Sequence, residues 1–541
     1  MPVQKIYLTL SILFVFLVGI GSVFATKSVF EQRLVHSSTY GFPLPYLHDY
    51  FQYISMIKNG QQGTLLFHNQ FTEENFPPLL LQPHYHLIGL LSSPFHIDQF
   101  ATYFYAKLFF AALLFLTTIV LIQKIIPYNE LRALANILFI TATSIYHYEL
   151  VGNVKSFLEP YSASDWFNVF TKTTLIHAHH YLAITILFLL LFFSAKRPSV
   201  PKFWGLTYVL ALALVFIHPY VSYVLLLIFL LQSISSFFFN RSSFIGFCMH
   251  TGAAIAASLP NIFYIKYILE TVWKGETQHV NSSIVWSPPI IPFESYLLNL
   301  SPLVFISLIT LFQKDTWKKP ERSMLVFWAY VPLLFFYLPN IGIPTGGMRL
   351  FQTYQHIPLA LLSSLALIPL YKYLKKYFIL LSIAGAAVSI AYAVPAYQSR
   401  FEEFTAVTNR YYNQITMLQL AQPALTFLST QTPPNSVVAT GETIGMMIPA
   451  FTNNRVILGH EGNNPDYLRK RNELWGFLGG YVPEANLPAF LDAYHIDYVL
   501  YGVDALAFQS MPYASLPYFV PVFESPPITI VKIDRTKFPT K

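Results

Sequence analysis

An acidic residue, Asp49, opens a segment that could place it at a reacting centre. In residues 46–60, apolar and aromatic side chains recur at helical spacing, and Gly60 is expected to end the helix in a left-handed cap. Asp49 lies in the first turn, beside His48. A carboxylate there can serve as a general base on a hydroxyl group, or it can simply complement the helix dipole.

Three histidines, His177, His179 and His180, open another long apolar segment. Histidines at a helix N-terminus can bind an anion together with the free backbone amides. A zinc site would need further ligands at suitable geometry, and no signature in the sequence supplies them. We therefore predict that these histidines bind a phosphate; the alternative is a structural role.

A second candidate phosphate site lies in residues 346–356, GGMRLFQTYQH, before a further apolar run. An arginine such as Arg349 can hold a phosphate through two parallel hydrogen bonds. Its alternative role is to reach out toward lipid headgroups. Tyr354 and His356 follow within a few residues and join the predicted phosphate-binding set.

Four more polar residues are candidates for the acceptor side of a site. Glu73 and Glu74 form an acidic pair, while Glu442 and His460 each follow a predicted strand. Loops beyond the carboxyl ends of strands often bind ligands in α/β sheets. The alternative is that they are ordinary polar loops.

The composition decides which class of protein must position these groups. Of 541 residues, 54% are hydrophobic and only 11% are charged, against about 25% charged residues in a soluble domain. A single cysteine, Cys248, excludes an internal disulfide framework. Apolar runs long enough to cross a bilayer predict about eleven membrane helices. These runs cover residues 6–26, 101–123, 131–147, 177–195, 203–217, 219–239, 244–264, 297–313, 323–339, 355–371 and 377–397.

The charges between the runs predict the orientation. Short loops rich in lysine and arginine alternate with longer loops that hold few, which places the N-terminus inside the cell and the C-terminus outside. We expect a transmembrane domain at 1–397 with a long external loop at 27–100. The helix at 46–60 would then lie at the outer membrane surface.

The C-terminal residues 398–541 are predicted to form an external domain. Short strands at 436–440, 455–458, 496–501 and 528–533 alternate with helices near 442–451, 465–478 and 486–494. Such alternation is typical of a small α/β domain.

Several stretches together resemble the GT-C superfamily of integral membrane glycosyltransferases. They are HDYFQYISMIKNGQQGTLLF, HAHHYLAI, VFIHPY, MRLFQTYQHIPLALL and the tail segments SVVATGETIGMMIPAF, RVILGHEGNNPDY and YHIDYVLYG. The resemblance spans most of the chain, and its specificity lies in the arrangement rather than in any single string. It implies a polyprenyl-phosphate sugar donor, and a glycan, lipid or protein acceptor outside the cytoplasmic membrane.

The same resemblance implies the roles of individual residues. Asp49 matches the acid that acts as general base in an inverting transfer, and Arg349 matches an external cation that holds the departing phosphate. Members of the superfamily often have two adjacent acids at the position that Asp49 matches, whereas this chain has His48 beside Asp49. The resemblance thus leaves open whether a divalent cation takes part, and the sequence supplies no ligand set for a metal.

Three other functions stay open at this point. One of them, a purely structural assembly protein, would leave the external His, Asp and Arg groups unexplained. An oligosaccharide ligase or polymerase would be expected to have several external arginines, and only Arg349 is evident. A lipid or solute transporter would be expected to have pseudo-symmetric halves and broken helices, which the sequence does not clearly have. The sequence has no Gly-x-x-x-x-Gly-Lys-Ser/Thr loop, which argues against an ATP-driven pump. No nucleic-acid partner is expected, because the basic residues are spread among loops.

Overall fold

The computed structural model describes residues 3–33, 47–142, 146–148, 154–156, 177–271, 293, 296–297, 300–338, 354–502 and 512–539. Within them the chain divides into two compact units. The first contains residues 1–33, 104–263 and 283–404, and the second contains residues 34–103, 264–282 and 405–541. The long first loop of the sequence analysis therefore groups with the C-terminal residues, although about 300 residues separate them along the chain.

Helices make up most of the described chain, and they are numbered here in order. They are α1 (Val3–Arg33), α2 (Leu47–Gln61), α3 (Pro83–Ser92), α4 (Gln99–Ile125), α5 (Asn129–Thr141), α6 (Ala178–Lys196), α7 (Pro201–Ile217), α8 (Pro219–Phe239), α9 (Arg241–Thr271), α10 (Leu303–Ser307), α11 (Lys314–Lys318), α12 (Pro320–Phe335), α13 (His356–Ala366), α14 (Ile368–Tyr373), α15 (Phe378–Gln431), α16 (Glu442–Phe451), α17 (Tyr467–Leu478) and α18 (Leu487–Ala493). A short hairpin pairs β1 (Tyr146–Tyr148) with β2 (Val154–Ser156).

Five of the described helical segments are long and apolar enough to cross a membrane. They lie at Val3–Phe24, Gln99–Ile125, Ala178–Lys196, Pro219–Phe239 and Arg241–Tyr264. Shorter apolar helices occupy Pro201–Ile217, Leu303–Phe312 and Phe378–Val394. The predicted class, a helical membrane protein with a small C-terminal sheet, is confirmed. The predicted count of about eleven spans is not, since several predicted runs form helices shorter than a bilayer requires.

The second unit contains a five-stranded mixed sheet. Its strands are β3 (Val437–Ala439), β4 (Arg455–Val456), β5 (Ile496–Tyr501), β6 (Phe519–Ser525) and β7 (Ile528–Ile533). Their order is β4-β3-β5-β7-β6, with β3 parallel to β4 and β5, and with β7 antiparallel to β5 and β6. Strand β6 was not predicted from the sequence. This strand lies at an edge of the sheet, where Pro521 is tolerated because the outer side of an edge strand needs no ladder bond.

Close contact between α2 and α3 corrects two expectations about residues 46–60. Gly60 lies inside α2 and is not a cap: a Cβ there would lie 2.0 Å from the His86 carbonyl oxygen. Gly89 of α3 is equally tight, since its Cβ would lie 2.0 Å from the Ile57 carbonyl oxygen. Residues 50–60 are buried on every side, so α2 is a core helix of the second unit. The expectation that this helix lies at the outer membrane surface was wrong, because its polar as well as its apolar residues are covered by the protein.

Hydrogen bonds join the first loop to the C-terminal domain. The Val456 amide donates to the Gln70 carbonyl over 3.1 Å, which adds the loop to the edge of the sheet at β4. The buried Asn464 side chain donates to the carbonyls of Phe71 and Ile457, at 3.1 and 2.7 Å. These bonds fix the loop that follows α2 against the loop that follows β4, and both loops carry candidate site residues.

Candidate active site

The second unit brings together two residues that the sequence analysis treated separately. Nε2 of His460 lies 3.0 Å from a carboxylate oxygen of Asp49, although the residues are 411 positions apart. The Asp49 side chain is 40% exposed and that of His460 is 14% exposed. The Asp49 carboxylate thus contacts His460 and is also partly exposed to solvent. His48 precedes it in α2, and the His48 side chain lies outside the described residues.

The backbone determines which nitrogen of His460 carries the proton. The Gly462 amide donates to Nδ1 over 3.1 Å, so Nδ1 acts as the acceptor. Nε2 then carries the hydrogen and donates it to Asp49. A carboxylate can accept several hydrogen bonds on its two oxygens, and one of those that Asp49 accepts comes from His460.

Packing against Phe71 positions the imidazole. The His460 ring meets the Phe71 ring edge to face, with the centroids 6.2 Å apart. The preceding Gly459 lies so close to Phe71 that a Cβ would come within 2.9 Å of its Cα. The loop after β4 therefore needs a glycine there to bring His460 to α2.

Glu73 and Glu74 are engaged by a buried lysine of α17. The Lys470 ammonium contacts Glu73 at 3.0 Å and Glu74 at 2.8 Å, and it also donates to Thr72 Oγ1 over 3.1 Å. Lys470 and Glu73 are almost inaccessible to solvent. Both carboxylates therefore already have the Lys470 ammonium as a partner. No contact in the structure tests their predicted acceptor-side role, which stays a prediction.

Glu442, the first residue of α16, accepts a short hydrogen bond from the Tyr467 hydroxyl. Burial, reinforced by that carboxylate, raises the pKa of Tyr467 well above its ordinary value. The phenol therefore stays protonated and serves as a fixed donor. The predicted role of Glu442 at the acceptor side also stays a prediction.

Histidines meet in the first unit as well. His177 precedes α6, whose first turn contains His179 and His180, and His218 immediately precedes α8. The ring centroids of His179 and His180 are 4.4 Å apart, and those of His180 and His218 are 4.7 Å apart. All four side chains are buried. His218 was not among the predicted site residues, although Pro219 at the first helical position is a signal for a helix start at that histidine.

The remaining predicted phosphate-binding residues are placed in part. Tyr354 is fully buried, with its ring centroid 6.3 Å from that of His180 and 6.2 Å from that of His356. His356 begins α13 and is buried too. Arg349 lies outside the described residues, so its predicted role stays a prediction.

Comparison with known proteins identifies relatives by structure alone. No protein-family description matches the sequence, and no curated protein matches it. Three solved structures of the Archaeoglobus fulgidus oligosaccharyltransferase do match, each with a TM-score of 0.52. They are the apo form, the enzyme AglB in complex with an inhibitory peptide and a dolichol-phosphate, and the enzyme tethered by a disulfide to an acceptor peptide containing the NVT sequon.

The match extends over nearly the whole chain. It covers 96%, 99% and 99% of this protein and 73%, 75% and 74% of the respective relatives, at 11%, 12% and 12% sequence identity. At such identity the likeness establishes the fold and not the activity. The protein therefore has a fold like that of the Archaeoglobus fulgidus oligosaccharyltransferase.

Proposed function

We propose that the protein is a membrane glycosyltransferase that moves a sugar from a polyprenyl-phosphate donor to a glycan, lipid or protein acceptor outside the cytoplasmic membrane. The observation that carries the proposal is the Asp49–His460 pair. It provides an oriented, partly open carboxylate in a chain with the fold of membrane oligosaccharyltransferases.

Asp49 is the general base in this proposal. It takes the proton of the acceptor hydroxyl while the oxygen attacks the anomeric carbon from the face opposite the lipid phosphate. The bond from that carbon to the phosphate oxygen breaks, the phosphate leaves with the electron pair, and the anomeric configuration inverts. A carboxylate suffices as base because the lipid phosphate is a good leaving group.

The departing phosphate gains negative charge and needs fixed donors. The proposal assigns this role to Arg349, His48, His177, His179, His180, Tyr354 and His356. The clustering of four of them, His179, His180, Tyr354 and His356, through ring contacts in the first unit supports it. The N-terminal end of α6 also favours an anion near His177.

The C-terminal residues are proposed to help bind the acceptor. A polar cavity of about 520 Å³ in the second unit supports this role. It is lined by Glu73, Glu74, Asn75, Arg469, Glu473, Ala493, Tyr494 and His495. The proposed topology keeps the N-terminus inside and this unit outside, as the loop charges predict.

A second candidate function is transfer of a whole oligosaccharide, and the fold comparison favours it specifically. The relatives are oligosaccharyltransferases, one solved with a dolichol-phosphate and another with an acceptor peptide. Such an activity would use the same base and the same inversion. It differs in the size of the transferred glycan and in a peptide acceptor. Transport is the less supported alternative, because it gives the oriented Asp49 carboxylate no task.

The test is a donor-consumption assay with the purified full chain in lipid nanodiscs. One arm supplies radiolabelled polyprenyl-phosphate hexose with a membrane glycan extract, and another supplies a lipid-linked oligosaccharide with a peptide containing the NVT sequon. Consumption in the first arm, lost in Asp49→Asn, supports the proposed function, and consumption in the second arm alone supports oligosaccharide transfer. Equal consumption by wild type and Asp49→Asn would reject Asp49 as base.

A further inference from the structure

Three imidazoles in the first unit have the arrangement of a metal-ligand set. His179, His180 and His218 each offer one ring nitrogen, and these three nitrogens all lie within 4.8 Å of one another. The histidines come from the starts of two helices, α6 and α8, that are separate in sequence. We propose that His179, His180 and His218 form a binding site for a divalent transition-metal ion of the zinc or cobalt type.

The chemistry of the donor set selects the class of metal. Imidazole nitrogen suits zinc, cobalt, nickel and copper, whereas magnesium and calcium prefer oxygen ligands. The three described ligands contain no carboxylate, which disfavours the oxygen-seeking ions. Three protein nitrogens leave at least one coordination position open, as in catalytic zinc sites and unlike closed structural ones.

The geometry requires only a small closure. Metal–nitrogen distances of 2.0–2.1 Å in a tetrahedral site correspond to nitrogens about 3.3 Å apart. The observed limit of 4.8 Å is about 1.5 Å wider, a gap that modest rotation of the rings can close. The rings are already adjacent, with centroids at 4.4, 4.7 and 5.9 Å.

All three histidines are buried, each at most 6% exposed. An ion bound between them would therefore lie away from bulk solvent.

The charge of the site indicates which ligand would take the open coordination position. Three neutral imidazoles leave the full charge of a divalent ion uncompensated, and the N-terminal ends of α6 and α8 favour a negative charge nearby. We therefore expect a hydroxide or another oxyanion in the open position. This assignment goes beyond the proposed function, because an ion held by His179 and His180 would give these two residues their role toward a phosphate through the ion.

Metal binding is measured directly, without any activity assay. The full chain, purified in detergent through a tag that contains no histidine, is stripped with a chelator and titrated with Co²⁺. We expect one equivalent to bind with the visible absorption bands of tetrahedral Co²⁺, and Zn²⁺ to displace it. Elemental analysis after desalting is expected to give one Zn²⁺ per chain.

The variants His218→Ala and His179→Gln test the ligand set. Loss of a direct ligand is expected to weaken affinity at least as much as loss of a supporting partner does, about 10-fold or more. The matched control is His250→Ala, since His250 is also buried in the first unit but bonds to Thr207 Oγ1 at 2.7 Å. Using two variants guards against one that does not fold, as judged by elution volume and thermal midpoint.

Wild type and His250→Ala binding one metal, with His218→Ala or His179→Gln binding at least tenfold more weakly, supports the site. No stoichiometric metal in wild type, or equal affinity in folded His218→Ala and His179→Gln, overturns it. Because the readout is metal content, either result is independent of whether the chain transfers sugars.

Discussion

The contact between Asp49 and His460 makes a quantitative prediction about catalysis. Replacing His460 with Phe keeps an aromatic ring against Phe71 but removes the Nε2 hydrogen that Asp49 accepts. A hydrogen bond to a charged group contributes about 1.5–3 kcal/mol. Asp49 is 40% exposed, so water replaces part of the lost bond and the lower end, about 1.5 kcal/mol, applies. That corresponds to about a tenfold loss in kcat/KM.

Two further variants separate positioning from catalysis. His460→Gln retains a nitrogen donor at a similar reach, so it is expected to keep most of the activity. Asp49→Asn removes the base and is expected to lose about 10²–10⁴-fold. The double variant Asp49→Asn/His460→Phe should be no slower than Asp49→Asn alone, because the two residues act as one unit.

The assay is donor consumption in nanodiscs, with initial rates measured over a range of acceptor concentrations. His68→Phe is the control, since His68 is an exposed histidine of the same unit. Thermal midpoints of all variants show whether each is folded. Wild-type kcat/KM in folded His460→Phe, or a further loss in the double variant, would refute the reasoning that His460 acts through Asp49.

Three other predictions concern the second unit. Burial lowers the pKa of Lys58 to about 7, whereas the pKa of an unfolded lysine is about 10.4. Between these two pH values the unfolded state binds more protons than the folded state. The free energy of unfolding therefore rises with pH, by up to about 1.4 kcal/mol per pH unit above pH 7. Lys58→Met should flatten that rise in thermal midpoint between pH 7 and 9. Gly60→Ala should cost about 1–3 kcal/mol in thermal or denaturant unfolding, because its Cβ would overlap a backbone oxygen, whereas Gly476→Ala, with open space around it, should not destabilise. Lys470→Met should cost about 3–5 kcal/mol, because it leaves the buried Glu73 carboxylate without its cation.

Each of these has an outcome that contradicts it. A Lys58→Met variant whose midpoint climbs with pH as steeply as wild type would show that another group titrates. Equal stability of Gly60→Ala and Gly476→Ala would mean that α2 and α3 are not in close contact. For Lys470→Met, unchanged stability would show that Glu73 is solvated in the folded protein.

The sequence alone determined the class of protein and much of its local structure. The scarcity of charge and the length of the apolar runs required a membrane protein, because a bilayer core excludes unpaired polar groups. Short-range patterns also located α16 at Glu442–Phe451, β5 at Ile496–Tyr501 and β7 at Ile528–Ile533. Helix and strand periodicity is a local property, so one sequence suffices to read it.

Local patterns failed where the reason for a residue lies in a distant neighbour. Gly60 is the residue type that often ends a helix, but here a glycine is needed for another reason. The His86 carbonyl of α3, 26 positions further along the chain, leaves no room for a Cβ. Strand β6 contains Pro521, which weakens a strand prediction unless the strand is known to be at an edge. The order of strands in the sheet decides that point.

The tertiary structure decided which candidate residues lie together. His460 donates to Asp49, Lys470 pairs with Glu73 and Glu74, and His218 joins His179 and His180. Each partner comes from a different element, and the composition or spacing of either segment says nothing about the other. Such pairings depend on how buried surfaces pack, which the chain satisfies only as a whole.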